Sequence, residues 1–246
     1  MAKALKRKNK PGLVDQIVLV AKKQPAKPKS SSDETFIRLY YKDVPPQDIQ
    51  SEKPSALWGA AKAHLGFALQ RPRGKALVRA YNPTLKVDGW ESNHSVIEVV
   101  ADDMPFLVDS ITGLLNGHHL TVHLVVHPAI RGERDKAGNL VRVLSPNEPD
   151  TGATAETLLR FEVSQQPFVT LERIVKEISK ILRDVRAAVN DWPPMRKNMV
   201  ALVEELTDGF VGIPSEIVDE SRNFLRWAYD NNFTFLGFRE YNFKGT

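Results

Sequence analysis

At 246 residues, 42% hydrophobic and 26% charged, the chain has the length of one or two domains and enough apolar content to bury a core, which excludes disorder throughout. It has no cysteine, so disulfide frameworks, thiolate zinc sites and thiol nucleophiles are excluded and a reducing compartment, the cytoplasm, is expected. The formal charge of +4 is uneven: Lys3, Lys6, Arg7, Lys8, Lys10, Lys22, Lys23, Lys27 and Lys29 face only Asp15 before residue 30, so the remainder is net −4 and no nucleic-acid partner is expected.

Residues 1–32 read as a basic flexible arm and linker. The run Leu13 to Ala21 imitates a signal peptide, but Asp15 and Gln16 interrupt it and no small-residue cleavage site follows, so a short amphipathic helix is expected. Nothing in the chain approaches the roughly 18 apolar residues of a membrane span, and no membrane partner is expected. Gln24 to Asp33 is Pro-, Lys- and Ser-rich, the composition of a solvated linker.

Residues 33–90 read as a helical lead-in with a short strand. Helices are predicted over Glu34 to Tyr41 and Ser55 to Gln70, broken at Val44-Pro-Pro46, and a strand over Ala76 to Tyr81. Residues 91–190 carry the main pattern. Ser95 to Ala101 is rich in β-branched residues and reads as a buried strand. Asp102 and Asp103 then precede a helix with Pro105 just inside it and Phe106, Leu107, Ile111, Leu114 and Leu115 at helical spacing, ending at Gly117. Leu120 to Ile130 reads as a strand, and Asp135 to Asn139 as the turn of a hairpin with Leu140 to Leu144. Thr157 to Ser164 reads as a further strand. The longest helix follows, with Leu171, Ile174, Ile178, Ile181 and Leu182 on its apolar face, and Pro193-Pro194 is expected to end it.

Residues 191–230 read as a helical segment, with helices near Met195 to Leu206 and from Ser215, an expected N-cap, to Tyr229. Residues 231–246 read as the first strand of a following, truncated domain, because Phe233 to Phe243 is apolar on both faces and needs neighbouring strands.

Signals for chemistry are sparse. The sequence holds no Gly-rich dinucleotide fingerprint, Walker loop, His-Glu-x-x-His helix or Gly-x-Ser-x-Gly elbow. His118, His119, His123 and His127 suggest a metal, but on one strand His123 and His127 would stand about 13 Å apart, beyond the reach of one ion, so sheet-face and turn histidines are expected and no metal. The carboxylates Asp102, Asp103 and Asp109 gather at a strand-to-helix junction. They read as a helix cap or, with Met104, Pro105 and Phe106, as an effector or contact site for the carboxylate of an amino acid.

The order of elements is that of a ferredoxin-like, α+β antiparallel sheet packed with helices, and an Asp-x-Pro turn after the first strand is what ACT domains carry. Val96 to Ser110, with its motif Asp-Asp-Met-Pro-Phe-Leu-Val-Asp-Ser, together with His127-Pro128 and Phe233 to Tyr241, resembles the N-terminal ACT-like region of the large bacterial NAD-specific glutamate dehydrogenases. The resemblance implies a non-catalytic regulatory and assembly segment of an enzyme that oxidises glutamate to 2-oxoglutarate and ammonium with NAD. It also implies partnership with downstream domains of the same polypeptide, a homo-oligomer, and catalytic and NAD-binding residues outside this chain. ACT domains that bind amino acids usually carry glycine where this chain has Phe106, and the bulk of that residue favours a scaffold role. The alternative is a free-standing amino-acid-binding sensor. Either Ala76 to Tyr81 or a segment after Tyr229 completes the sheet.

Overall fold

The alternation of β2 (Ser95–Asp102) sets the architecture: Val96, Glu98 and Val100 face one way and Ile97, Val99 and Ala101 the other, all fully buried, so both faces of its sheet must be covered. The computed structural model describes residues 12–24, 33–149, 152–206 and 212–241. The chain divides into two units, residues 1–182 and 183–246.

In the first unit the lead-in helices are α1 (Leu13–Lys23), α2 (Asp33–Tyr40), α3 (Pro46–Ile49) and α4 (Pro54–Ala68). The expected N-terminal helix is therefore present as α1, but it is not a free arm: Ile17, Val18 and Ala21 are buried against α2 and α4. Residues 1–11 and 25–32 lie outside the described residues. These helices share one core with Val100, Val126, Ile130 and Leu158 of the sheet. Trp58 Nε1 donates to the Gln24 carbonyl and the Tyr41 hydroxyl to that of Leu57, fastening the layer.

Six antiparallel strands form the sheet. β1 (Leu77–Tyr81) is followed by the single turn α5 (Leu85–Asp88) and pairs with β2, with Arg79 opposite Glu98. After β2 and α6 (Leu107–Gly117) come β3 (Val122–Val126), β4 (Ala129–Arg134), β5 (Leu140–Val143) and β6 (Thr154–Val163). The order is β1-β2-β6-β4-β5, with β3 also on β6. The strand completing the sheet beside β2 is thus Leu77–Tyr81, which precedes the ferredoxin-like core in sequence.

One strand was expected over Leu120 to Ile130, and two are found. Pro128 has no N–H to give to β6, and its carbonyl instead accepts from Leu158 N–H and Thr157 Oγ1. The hairpin of β4 and β5 forms as expected on the Asp135 to Asn139 turn. The second face of β2 and β6, carrying Ile97, Val99, Leu159 and Phe161, is left to the buried stripes of α6 (Leu107, Ile111, Leu115) and of α7 (Phe168–Glu205; Leu171, Ile174, Ile178). His118 Nε2, at the end of α6, lies 2.5 Å from Glu177 Oε2 of α7.

The second unit begins within α7, which runs helically through Pro193-Pro194 to Glu205, where a break and a separate helix from Met195 were expected. The proline φ of about −65° is itself helical, and the pair removes the N–H donors that would meet the carbonyls of Val189 and Asn190 and crowds those carbonyls with its rings. Beyond it, buried Met195 and the stacking of Arg196 on Trp192 and Tyr229 hold the next turns. The last helix is α8 (Ser215–Trp227), capped at Pro214 without a side-chain bond, so Ser215 is not its N-cap. A π-helical turn, Ala228–Asn232, follows. The strand expected over residues 231–246 is not formed between Phe233 and Tyr241: among the described residues nothing pairs with that segment, and Phe233, Leu236, Phe238 and Tyr241 are exposed. Residues 242–246 lie outside the described residues.

Candidate functional site

The structure disperses the six residues predicted as a site. Asp102 ends β2 and accepts a 2.8 Å bond from Arg71 Nη2, so it is neither a helix cap nor a free carboxylate. Asp103 is exposed and its N–H donates to the Ala155 carbonyl, extending the sheet by one bond. Met104 is half-buried and Pro105 exposed. Pro105 lies before α6 rather than inside it, because Phe106 takes the left-handed conformation (φ +70°, ψ −1°) as the N-cap and postpones the helix to Leu107. The Phe106 side chain is 42% exposed. Asp109 is exposed on the first turn, where a carboxylate suits the helix dipole.

What Asp102 joins is a buried ionic cluster. Glu156, fully buried, accepts from Arg134 Nε (2.6 Å) and Nη2 (2.8 Å) and pairs with Arg71 Nη2 at 3.0 Å. Arg71 and Arg134 also donate to the carbonyls of Lys75, Ala68 and Gly138, which knits the loop after α4 to the β4–β5 hairpin. This cluster is structural: apart from Arg71 Nε, its guanidinium donors are spent on the chain itself.

The histidines do not converge. His118 meets Glu177, His123 stacks on His94 with centroids 4.1 Å apart, and His127 is exposed between β3 and β4. Among the described residues no group of three or more His, Cys, Asp or Glu side chains could hold a metal ion.

Sequence reasoning missed a second place on the helix-covered face that carries Glu98. A row of charge crosses three strands there: Arg79 Nε donates to Glu98 Oε2 at 2.6 Å, and Glu98 stands opposite Arg160 in the β2–β6 register. Arg160 is 1% exposed. Its Nη2 pairs with Glu162 Oε1 at 3.0 Å, the Tyr41 hydroxyl lies beside it, and the Tyr40 and Trp90 rings flank its guanidinium at 6.0 and 5.7 Å. Its Nε and Nη1 have no hydrogen-bond partner. Burial opposes its charge, but Tyr40, Tyr41, Glu162 and Glu98 outweigh that and hold its pKa above the ordinary arginine value. Burial pushes the Tyr41 hydroxyl up to about 12 and lowers His64 to about 4.

Arg160 and Glu162 line the floor of a cleft of about 550 Å³, within the range of small-molecule sites. One wall is the start of α4 with Lys53 and Ala56; the other is the β1–β2 connection with Asn82, Trp90, Glu91 and His94. Ser95 Oγ donates to Asn82 Oδ1 and accepts from Gln166 N–H, fixing that connection to the end of β6. The available signal was charge inside strands otherwise apolar on both faces: Glu98 within Val96 to Val100, and Arg160 with Glu162 within Leu158 to Val163.

An open antiparallel sheet with β2–α6–β3 and a helix after the central strand β6 defines an ACT-like α+β module. The family model described as glutamate dehydrogenase, ACT1 domain, matches residues 36–190, and the chain belongs to that family. It is 36% identical over 223 residues to the NAD-specific glutamate dehydrogenase of Halomonas elongata, covering 89% of this chain and 14% of that protein. The enzyme of the same description from Pseudomonas aeruginosa is 28% identical over 208 residues, 84% of this chain and 13% of that protein. The one from Mycobacterium tuberculosis is 25% identical over 185 residues, 72% and 11%. The chain therefore spans only a small part of the length of these relatives.

Proposed function

We propose that this chain is the non-catalytic N-terminal regulatory and assembly segment of a large NAD-dependent glutamate dehydrogenase, whose parent reaction converts glutamate, NAD and water to 2-oxoglutarate, ammonium and NADH. The observation that carries the proposal is the match of the ACT1-domain model over residues 36–190 combined with relatives that are several times longer. The sequence lacks a dinucleotide fingerprint, which supports placing NAD and glutamate chemistry in other parts of the polypeptide.

The assembly role draws support from the second unit. Ile217, Phe224 and Trp227 of α8 and Phe233, Leu236, Phe238 and Tyr241 after it are exposed, more apolar surface than a helix and a tail ordinarily leave to water. Downstream domains of the same polypeptide, or a second subunit of a homo-oligomer, are the proposed cover. No helix among the described residues is long and apolar enough to cross a membrane. The cysteine-free composition supports a cytoplasmic setting.

The test is an immunoblot of source cells with an antibody raised against this chain. A band several times larger than 27.6 kDa, co-purifying with NAD-dependent glutamate oxidation, is expected. A band at 27.6 kDa would overturn the reading and leave the free-standing sensor.

A further inference from the structure

We infer that α8 and residues 233–241 are the first helix and first strand of the domain that follows, their exposed apolar side chains docking polypeptide beyond residue 246 that supplies at least two further β-strands. This rests on the parent polypeptide being longer than the chain, and it places the start of the following domain at Ser215 rather than at residue 231.

The packing of α8 is too thin to hold it. Among its 13 residues only Val218 is buried, and a free helix of that length is marginal in water. Its exposed apolar side chains are not scattered: Ile217, Phe224 and Trp227 recur at helical spacing along one side, with the Phe224 and Trp227 rings stacked at 5.9 Å. A stripe of that kind fits a sheet face, the layer on which the helices of α+β domains bury one side.

The segment after α8 leaves it as a strand would. Phe233 departs from the π-helical turn at φ −139° and ψ 141°, the dihedral angles of an antiparallel strand. Arg196 of α7 fixes that turn, donating to Asn231 Oδ1 at 3.0 Å and to the Tyr229 carbonyl at 3.2 Å, so the direction of exit is set before any partner arrives. On an extended backbone Phe233, Phe235 and Tyr241 share one face, with the first two rings 6.0 Å apart, and Leu236 and Phe238 share the other. Both faces are apolar, which is the pattern of a strand inside a covered sheet and not of one at its edge.

A second copy of the chain is the poorer occupant. Across a two-fold axis it offers this segment only its own equivalent, a two-stranded ribbon that is marginal in water and keeps both outer edges unpaired. Continuing polypeptide reaches both edges through short connections at small loop-closure cost, and consecutive elements commonly pack together. The matched relatives have the length for it, since this chain spans 14% and 13% of them.

The experiment is hydrogen exchange read by mass spectrometry on the 246-residue chain and, side by side, on the parent polypeptide expressed from the source gene. Amides of α8 and of residues 233–241 are expected to exchange at least about 100-fold more slowly in the parent, while those of β2 and β6 exchange alike in both. Phe224→Glu and Phe238→Glu should each remove about tenfold or more of that slowing in the parent, yet leave the thermal midpoint of the 246-residue chain within about 1 °C, because both side chains face water there. If the variant parents fail to fold, the comparison of the unsubstituted proteins decides. Equal exchange of residues 233–241 in chain and parent overturns the inference and leaves the longer parent standing. A parent no larger than 27.6 kDa overturns both. A dimer of the 246-residue chain by light scattering, with residues 233–241 already protected in it, overturns the choice of occupant in favour of a second copy.

Discussion

The Tyr40 hydroxyl donates a 2.9 Å hydrogen bond to Nδ1 of His64, whose Nε2 faces the Val99 carbonyl at 3.3 Å. A carbonyl only accepts, so Nε2 carries the proton and the imidazole is neutral, joining α2, α4 and β2 through one ring.

That ring makes stability depend on pH. Burial lowers its pKa from 6.5 to about 4, so between those values the unfolded chain binds the proton that the folded chain refuses. The contribution of His64 is complete above the unfolded-state value and is lost as pH falls toward the folded one, about 3 kcal/mol in all. Urea midpoints followed from about pH 7 to about pH 4.5 should fall through this window, and His64→Leu should flatten the slope there.

Glu156 neutralises two arginines that water cannot reach. Glu156→Ala takes the carboxylate from Arg134, 8% exposed at its side chain, and leaves Arg71, 1% exposed, to Asp102 alone, and is expected to cost about 3–5 kcal/mol. Chemical denaturation measures this directly; a loss below about 1 kcal/mol would mean that solvent enters the cluster.

Phe106 and Leu107 are neighbours with opposite expectations. Phe106→Gly relieves a φ of +70° but adds unfolded-state freedom, so stability should change by less than about 1 kcal/mol. Leu107→Ala removes a side chain 1% exposed and should cost about 2–5 kcal/mol. Thermal melts of the two variants side by side make the comparison.

Gly138 is required twice over. Its φ is +87°, and a Cβ there would stand 2.4 Å from the Arg71 carbonyl oxygen, which belongs to backbone and cannot swing away. Gly138→Ala should break the Arg71 N–H bond to the Gly138 carbonyl and cost about 2 kcal/mol or more, with hydrogen exchange at Arg71 and Leu140 accelerating before the rest of the sheet.

Much of the sheet was legible because its signals are local. The β-branched run of β2, the Asp135 to Asn139 turn and the heptad-like stripe of α7 each announce themselves within a dozen residues. The Arg160 cleft was not legible, because Lys53, Trp90 and Arg160 come from three distant segments that only the β2–β6 register and the packing of α4 assemble. The reading of Asp102 as a helix cap failed for a related reason. Acid before a helical run looks the same whether it caps the helix or turns back to an arginine 31 residues earlier. The Pro193-Pro194 stop failed because the cost of lost helix bonds was weighed without Met195 and Arg196, whose contacts hold the turns that follow.

The placement of β6 has a consequence for how the chain reaches its native state. β2, β3 and β4 all pair with this one strand, yet residues 154–163 leave the ribosome after every one of them. A growing chain therefore holds the β1–β2 pair and the β4–β5 hairpin as separate pieces with open edges, and the sheet closes in one late step when β6 slots between them. Loop closure across this span is slow relative to hairpin formation, so slowed translation or a chaperone near residue 150 should change the yield of folded protein more than the same intervention anywhere earlier in the chain.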